Sequence, residues 1–135
     1  MSDDALRLLR TARAAEKEQA LFYRSLTGQA ETAGDAALAE RLNGLLADEQ
    51  HHLSRLTARL LELGQDVDDL ADMAVPAADL ASWQTIARDR ELVEIARYEL
   101  LLGADLDETT RGLVEDILQT ERNHERELGG KWMMA

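Results

Sequence analysis

Two Glu-x-x-His pairs, Glu49/His52 and Glu121/His124, sit inside apolar stripes of helical period, and few folds accommodate that pattern. Residues three apart on a helix share a face, so each pair aims one carboxylate and one imidazole in the same direction. Glu49 lies among Leu42, Leu45, Leu46, Leu53 and Leu56, and Glu121 among Val114, Ile117, Leu118 and Leu128. An ionised carboxylate on a core-facing stripe is costly and needs a partner, a proton or a metal ion. Two such helices, joined by two more that each bring one Glu, make the carboxylate-bridged dimetal site of certain four-helix bundles.

Glycine and proline divide the chain into the helices this requires. The spacing of Leu6, Leu9, Ala12, Glu16, Ala20 and Tyr23 predicts a first helix from about Asp3 to Thr27 or beyond, with residues 28–34 as a turn or frayed end. Asp35 suits the N-cap of a second helix, which carries Glu49 and His52 and stops near Gly64. Residues 65–75 read as a connection along the bundle, with room for a helical turn. Pro76 and Asp79 open a third helix carrying Trp83, Glu91, Glu94 and Tyr98, which Gly103 ends; Asp107 starts a fourth, closed by Gly129 and Gly130. Short turns make helices 1 and 2, and 3 and 4, antiparallel neighbours. The expected fold is therefore all-α: a ferritin-like antiparallel four-helix bundle with one long crossover between helices 2 and 3, forming a single domain over residues 1–135.

The two halves echo each other. Arg13, Glu16 and Tyr23 match Arg88, Glu91 and Tyr98 at an offset of 75. Leu42, Leu45, Leu46, Glu49, His52 and Leu56 match Val114, Ile117, Leu118, Glu121, His124 and Leu128 at an offset of 72. Packing accounts for repeated apolar positions; it does not account for repeated Glu, His and Tyr among them. Facing one another, Glu16, Glu49, Glu91 and Glu121 bring four negative charges, which two divalent cations cancel, while neutral His52 and His124 complete the ligand set. Glu94, one turn beyond Glu91, is placed to supply a further carboxylate when the metals are oxidised; its counterpart in helix 1 is Gln19. Mixed oxygen and nitrogen donors suit two iron ions, with manganese or a mixed pair as alternatives, better than structural zinc.

Other residues receive plainer roles. Tyr23 and Tyr98 stand two turns after Glu16 and Glu91, where a hydroxyl can meet a ligating carboxylate or simply fill the core. Asp48 and His51 form an overlapping pair about 100° away from Glu49 and His52, and are read as surface residues. Arg13 and Arg88 are read as partners of surface acids, and Trp83, Trp132 and the methionines as core or end packing.

Composition removes whole function classes. Without cysteine there are no disulfides, thiolate metal sites or thiol catalysis. A formal net charge of −12 repels phosphate backbones and anionic bilayers, so neither nucleic acid nor membrane is an expected partner. No apolar run reaches membrane-spanning length, and the Met1-Ser2-Asp3-Asp4 start is unlike a secretory signal, so a cytoplasmic protein is expected.

Taken together, the motifs resemble those of the rubrerythrin branch of the ferritin-like superfamily. Glu16 to Tyr23 (Glu-Lys-Glu-Gln-Ala-Leu-Phe-Tyr) is similar to the family's first-helix motif, Glu49 to His52 and Glu121 to His124 to its second and fourth, and Glu91 to Glu94 to its third. The resemblance implies a non-haem diiron oxidoreductase acting on hydrogen peroxide or dioxygen. It implies bridging roles for Glu49 and Glu121 and terminal roles for Glu16, Glu91, His52 and His124, with Glu94 as the additional ligand. Rubrerythrins proper carry a cysteine-ligated rubredoxin module; this chain has no cysteine, so electrons are expected from a separate donor. Two alternatives stand beside this reading: a ferroxidase that handles iron, and a metal-binding helical adaptor with little turnover. A homodimer is the default expectation for such a bundle, and exchange of hairpins between chains is compatible with the long connection.

Overall fold

Apolar residues at helical spacing, interrupted by capping residues, produce four helices in the computed structural model, which describes residues 1–130. They are α1 (Asp3–Thr32), α2 (Ala36–Glu62), α3 (Trp83–Leu102) and α4 (Glu108–Leu128). No strand occurs among the described residues, and no helix there is long and apolar enough to cross a membrane. The N-caps follow the expected chemistry: the side chains of Ser2, Asp35 and Asp107 accept from the amides of Ala5, Leu38 and Thr110.

Of the two readings for residues 28–34 the longer helix holds, because α1 continues through Gly28 to Thr32. Gly28 lies on the exposed face, while Leu26, Thr27 and Ala30 on the other side are buried and carry the helix across its weak point. The stop comes at Gly34, whose φ of 76° a side chain would strain. There Gly34 N–H donates to Glu31 O and Asp35 N–H to Ala30 O, the paired bonds that close a helix end. Asp35 thus serves two helices, ending α1 with its amide and starting α2 with its carboxylate. Gly64, also at φ 76°, closes α2 in the same way.

The third helix begins later than the sequence predicts, at Trp83 and not at Pro76 or Asp79. Asp79 does cap, but it caps a turn: its Oδ1 accepts from both the amide and the hydroxyl of Ser82. Upstream, the chain is held non-helical by tertiary contacts. Gln29 donates to the carbonyl of Ala78, and Ala78 and Leu80 pack against the core. The connection also forms no helical turn of its own; Met73 N–H to Leu70 O is its one backbone turn bond apart from the α2 cap. Arg13, expected to pair with an acid, instead bonds Thr57 Oγ1 and the carbonyl of Asp68, fastening this connection to the bundle. Arg88 does pair with an acid, Glu125. Trp83 is buried, whereas Trp132, Met133 and Met134 lie outside the described residues.

Packing gives the bundle its order. α1 pairs with α2 and α3 with α4, and the square closes through α1 against α3 and α2 against α4. Tyr23–Glu91 and Tyr98–Glu16 show that α1 and α3 run antiparallel; Arg59–Asp107 and Asp48–His124 show the same for α2 and α4. The end of α2 and the start of α3 therefore lie at opposite ends of the bundle. Residues 63–82 make that return of roughly 30 Å, the length of a twenty-residue helix. Two apolar clusters result. One holds Phe22, Leu26, Leu42, Leu45 and Trp83; the other holds Leu9, Leu56, Leu60, Leu101 and Ile117. The buried glutamates fall in the sequence gaps between the two clusters on all four helices.

Candidate metal centre

Helical register fixes which side chains meet in that gap. Glu16 comes from α1, Glu49 and His52 from α2, Glu91 from α3, and Glu121 and His124 from α4. The four glutamates are 0% exposed, so the repeated acids of the sequence all point inward. Their atoms gather into two sets of four donors, each able to surround one ion. Glu16, Glu49, His52 and Glu121 make one; Glu49, Glu91, Glu121 and His124 make the other. Glu49 and Glu121 belong to both, the placement a bridging carboxylate needs.

The imidazoles face the carboxylates edge-on. His52 Nδ1 lies 3.0 Å from Glu121 Oε1, 3.4 Å from Glu16 Oε1 and 3.7 Å from Glu49 Oε1. His124 Nδ1 lies 3.4 Å from Glu91 Oε1, 3.6 Å from Glu49 Oε1 and 3.9 Å from Glu121 Oε2. Neither Nδ1 has a hydrogen-bond partner, and the same is true of both oxygens of Glu49 and Glu121 and of Oε2 of Glu16 and Glu91. Buried polar atoms left without partners cost about 1–3 kcal/mol each, more when charged. So many converging on one place is the signature of a site built around something cationic, and the donor set fits two divalent ions.

The tyrosines take part in this arrangement, and their contacts cross between halves. Tyr23 of α1 donates to Glu91 Oε1 at 2.7 Å, and Tyr98 of α3 donates to Glu16 Oε1 at 2.6 Å. Each tyrosine therefore holds the glutamate of the opposite half, not the one two turns before it. Burial and then the neighbouring carboxylates push both hydroxyls well above the ordinary tyrosine range, so both remain donors.

Proton affinities show how the site bears its charge without metal. Burial, reinforced by the surrounding glutamates, pushes Glu49 well above the usual carboxylate range; burial and then Glu91 do the same to Glu121. Burial also acts to raise Glu91, but its close contacts with Glu121, His124 and Tyr23 outweigh this and hold it below the usual range. For His124, burial opposes protonation, yet Asp48 and Glu91 overcome it and raise the imidazole to about 10. Protons stand in for cations.

Asp48 is the residue the sequence reading missed. It is half-exposed, as a surface assignment implies, but its Oδ2 lies 2.8 Å from His124 Nε2 across the α2–α4 boundary. Its periodic partner His51 is exposed. Spacing along α2 could not reveal this contact, because it depends on which helix packs beside α2.

Glu94 is buried, as expected for a member of the site, but lies outside both four-donor sets. Its Oε1 is 3.7 Å from Arg97 Nε, and its Oε2 has no partner. Burial, with Glu16 nearby, raises it to about 8. Gln19 is likewise buried with its amide nitrogen unpartnered, and Arg90 bonds its Oε1. Glu94 and Gln19 line a cavity of about 130 Å³ between α1 and α3, rimmed by Glu18, Arg90 and Arg97.

Among solved structures, the chain is similar to the bacterioferritin BfrA of Mycobacterium tuberculosis, with a TM-score of 0.88 and 20% identity over 99% of this chain and 87% of that one. At that identity the likeness speaks for a ferritin-like fold. No curated protein matches the sequence. The profile described as rubrerythrin matches residues 7–130. The chain therefore belongs to the rubrerythrin family, within the ferritin-like superfamily.

Proposed function

We propose that this protein is a non-haem diiron oxidoreductase of rubrerythrin type, reducing hydrogen peroxide or dioxygen with electrons from a separate donor. One observation carries the reading: two four-donor sets share Glu49 and Glu121 inside an apolar interior, with most of their donor atoms left without hydrogen bonds. Glu16, Glu49, His52 and Glu121 would hold one iron, and Glu49, Glu91, Glu121 and His124 the other. Two ferrous ions held there would supply two electrons, enough to cleave hydrogen peroxide or to take dioxygen to the peroxide level, and positive charge to stabilise the reduced oxygens.

The chain's own side chains do the rest. Tyr23 and Tyr98 pin one oxygen each of Glu91 and Glu16, which leaves the other oxygen of each buried and free of hydrogen bonds. Asp48 orients His124. The clusters on either side exclude water, so charges in the gap act through a low dielectric. Glu94, raised to about 8, holds a proton at neutral pH beside the site, where reduced oxygen needs one. The cavity between α1 and α3 leads a small oxidant to Glu94 and Gln19.

Elemental analysis of the iron-loaded protein should give two ions per chain, with Glu49→Ala and Glu121→Ala losing most of both. Stopped-flow mixing of the ferrous protein with peroxide should oxidise it faster than mixing with dioxygen. Full metal content in either variant would refute the assigned ligands, and slow, equal responses to both oxidants would remove the peroxidase reading.

A ferroxidase that passes iron to a store is the second reading, favoured by the similarity in fold to a bacterioferritin. Storage needs a closed cage, so the mass of the assembly in solution separates the two. The expected homodimer cannot store mineral.

A further inference from the structure

The two donor sets are related by the internal repeat, yet one contact breaks that relation. His124 Nε2 meets Asp48 Oδ2 at 2.8 Å, while its Nδ1 faces Glu49, Glu91 and Glu121 without a hydrogen bond. With the carboxylate accepting at Nε2–H, the imidazole keeps its proton there and presents the Nδ1 lone pair to an ion. The offset of 72 that carries His52 onto His124 carries Asp48 onto Thr120. Thr120 has no charge to offer His52, and its hydroxyl donates to the carbonyl of Asp116. Every carboxylate contact of His52 is made through Nδ1. Among the described residues, one histidine is held from behind by an acid and its counterpart is not.

We propose that Asp48 is a positioning residue that makes the two ion positions unequal: the Glu49/Glu91/Glu121/His124 set takes its divalent ion first and more tightly, and the Glu16/Glu49/His52/Glu121 set fills second. The inference rests on the dimetal reading given above. A carboxylate behind a ligating histidine fixes the ring's orientation in advance and makes the facing nitrogen more basic; such partners change metal affinity by about 10–100-fold. The shared ligands reinforce the order. Once the first ion neutralises Glu49 and Glu121, the second meets a less negative site. Glu94, which lies near Glu16 and so on the His52 side, does not restore the balance, because it stands outside both donor sets with its Oε1 turned to Arg97.

The test is a calorimetric titration of the metal-free chain with Co²⁺, followed in parallel by the visible absorption of the bound ion. The wild-type chain should bind in two resolved steps. Asp48→Ala should weaken the tighter step by about 10–100-fold and leave the weaker one, so that the two merge. Asp48→Asn, which keeps an acceptor without the charge, should fall between. Thr120→Asp should strengthen the weaker step and narrow the gap from the other side. Asp48 is half-exposed, so its metal-free variants should keep the helical circular dichroism of the parent, which separates a positioning role from a folding one. Two equal steps in the wild-type chain, or Asp48→Ala acting on both steps alike or on neither, would overturn this proposal alone. No binding of Co²⁺ by the wild-type chain would overturn the dimetal reading and this proposal with it.

Discussion

A single hydroxyl governs the setting of each outer glutamate. Tyr98 donates to Glu16 and Tyr23 to Glu91, both out of reach of water. Tyr98→Phe keeps the ring and its packing but leaves Glu16 Oε1 without a donor. A hydrogen bond to a charged group is worth about 1.5–3 kcal/mol, so a loss of that order is expected in affinity at the His52 set, with the helices unchanged by circular dichroism. Unaltered metal affinity would show that the phenol only fills space. The sequence placed both tyrosines where a hydroxyl can meet a ligating carboxylate but named no partner for either. The crossed pairing needed the α1–α3 contact, which no spacing within either helix encodes.

At the scale of the helix, glycines with the same side chain do opposite things. Gly28 is exposed inside α1, and a Cβ there would meet nothing within 4 Å. Gly28→Ala should therefore stabilise the protein by about 0.5–1 kcal/mol, the usual gain in a helix interior. Gly34 also has open space around it, but its φ of 76° is left-handed. Gly34→Ala should cost about 1–2 kcal/mol for that reason. Paired denaturant titrations check both signs at once. This explains why residues 28–34 look like one turn in sequence: composition marks both glycines as breakers, and the buried Leu26, Thr27 and Ala30 decide that only the second is one. Pro76 misled in the same way, since a residue suited to open a helix is held non-helical by the packing of Ala78 and Leu80.

Across the whole molecule, the gathered acids couple stability to pH and to metal. In the metal-free protein, Glu49, Glu94 and Glu121 hold protons more tightly when folded than when unfolded. Raising the pH from about 4.5 to 8 strips those protons from the unfolded chain first, so the folded state loses ground. His124 acts in the same direction: its stabilisation is complete below 6.5 and is lost as pH rises towards about 10. Glu91, Asp48 and Asp107 oppose, their contributions fading as pH falls below the ordinary carboxylate range. The melting temperature in chelator should accordingly fall as pH rises from about 5 to 9, and saturating Mn²⁺ should abolish the fall, because cations then replace the protons. A flat profile in chelator would mean that these carboxylates are not confined together. The sequence alone fixed the four helices, their pairing into hairpins, the repeat, and the inward-facing Glu and His, because helical periodicity and capping are local rules that a linear pattern obeys. Only the tertiary structure decided the crossed tyrosines, the late start of α3, the place of Glu94 outside both donor sets, and the bond from Asp48 to His124. Each depends on which helix face lies opposite which, and that is settled by packing between residues tens of positions apart.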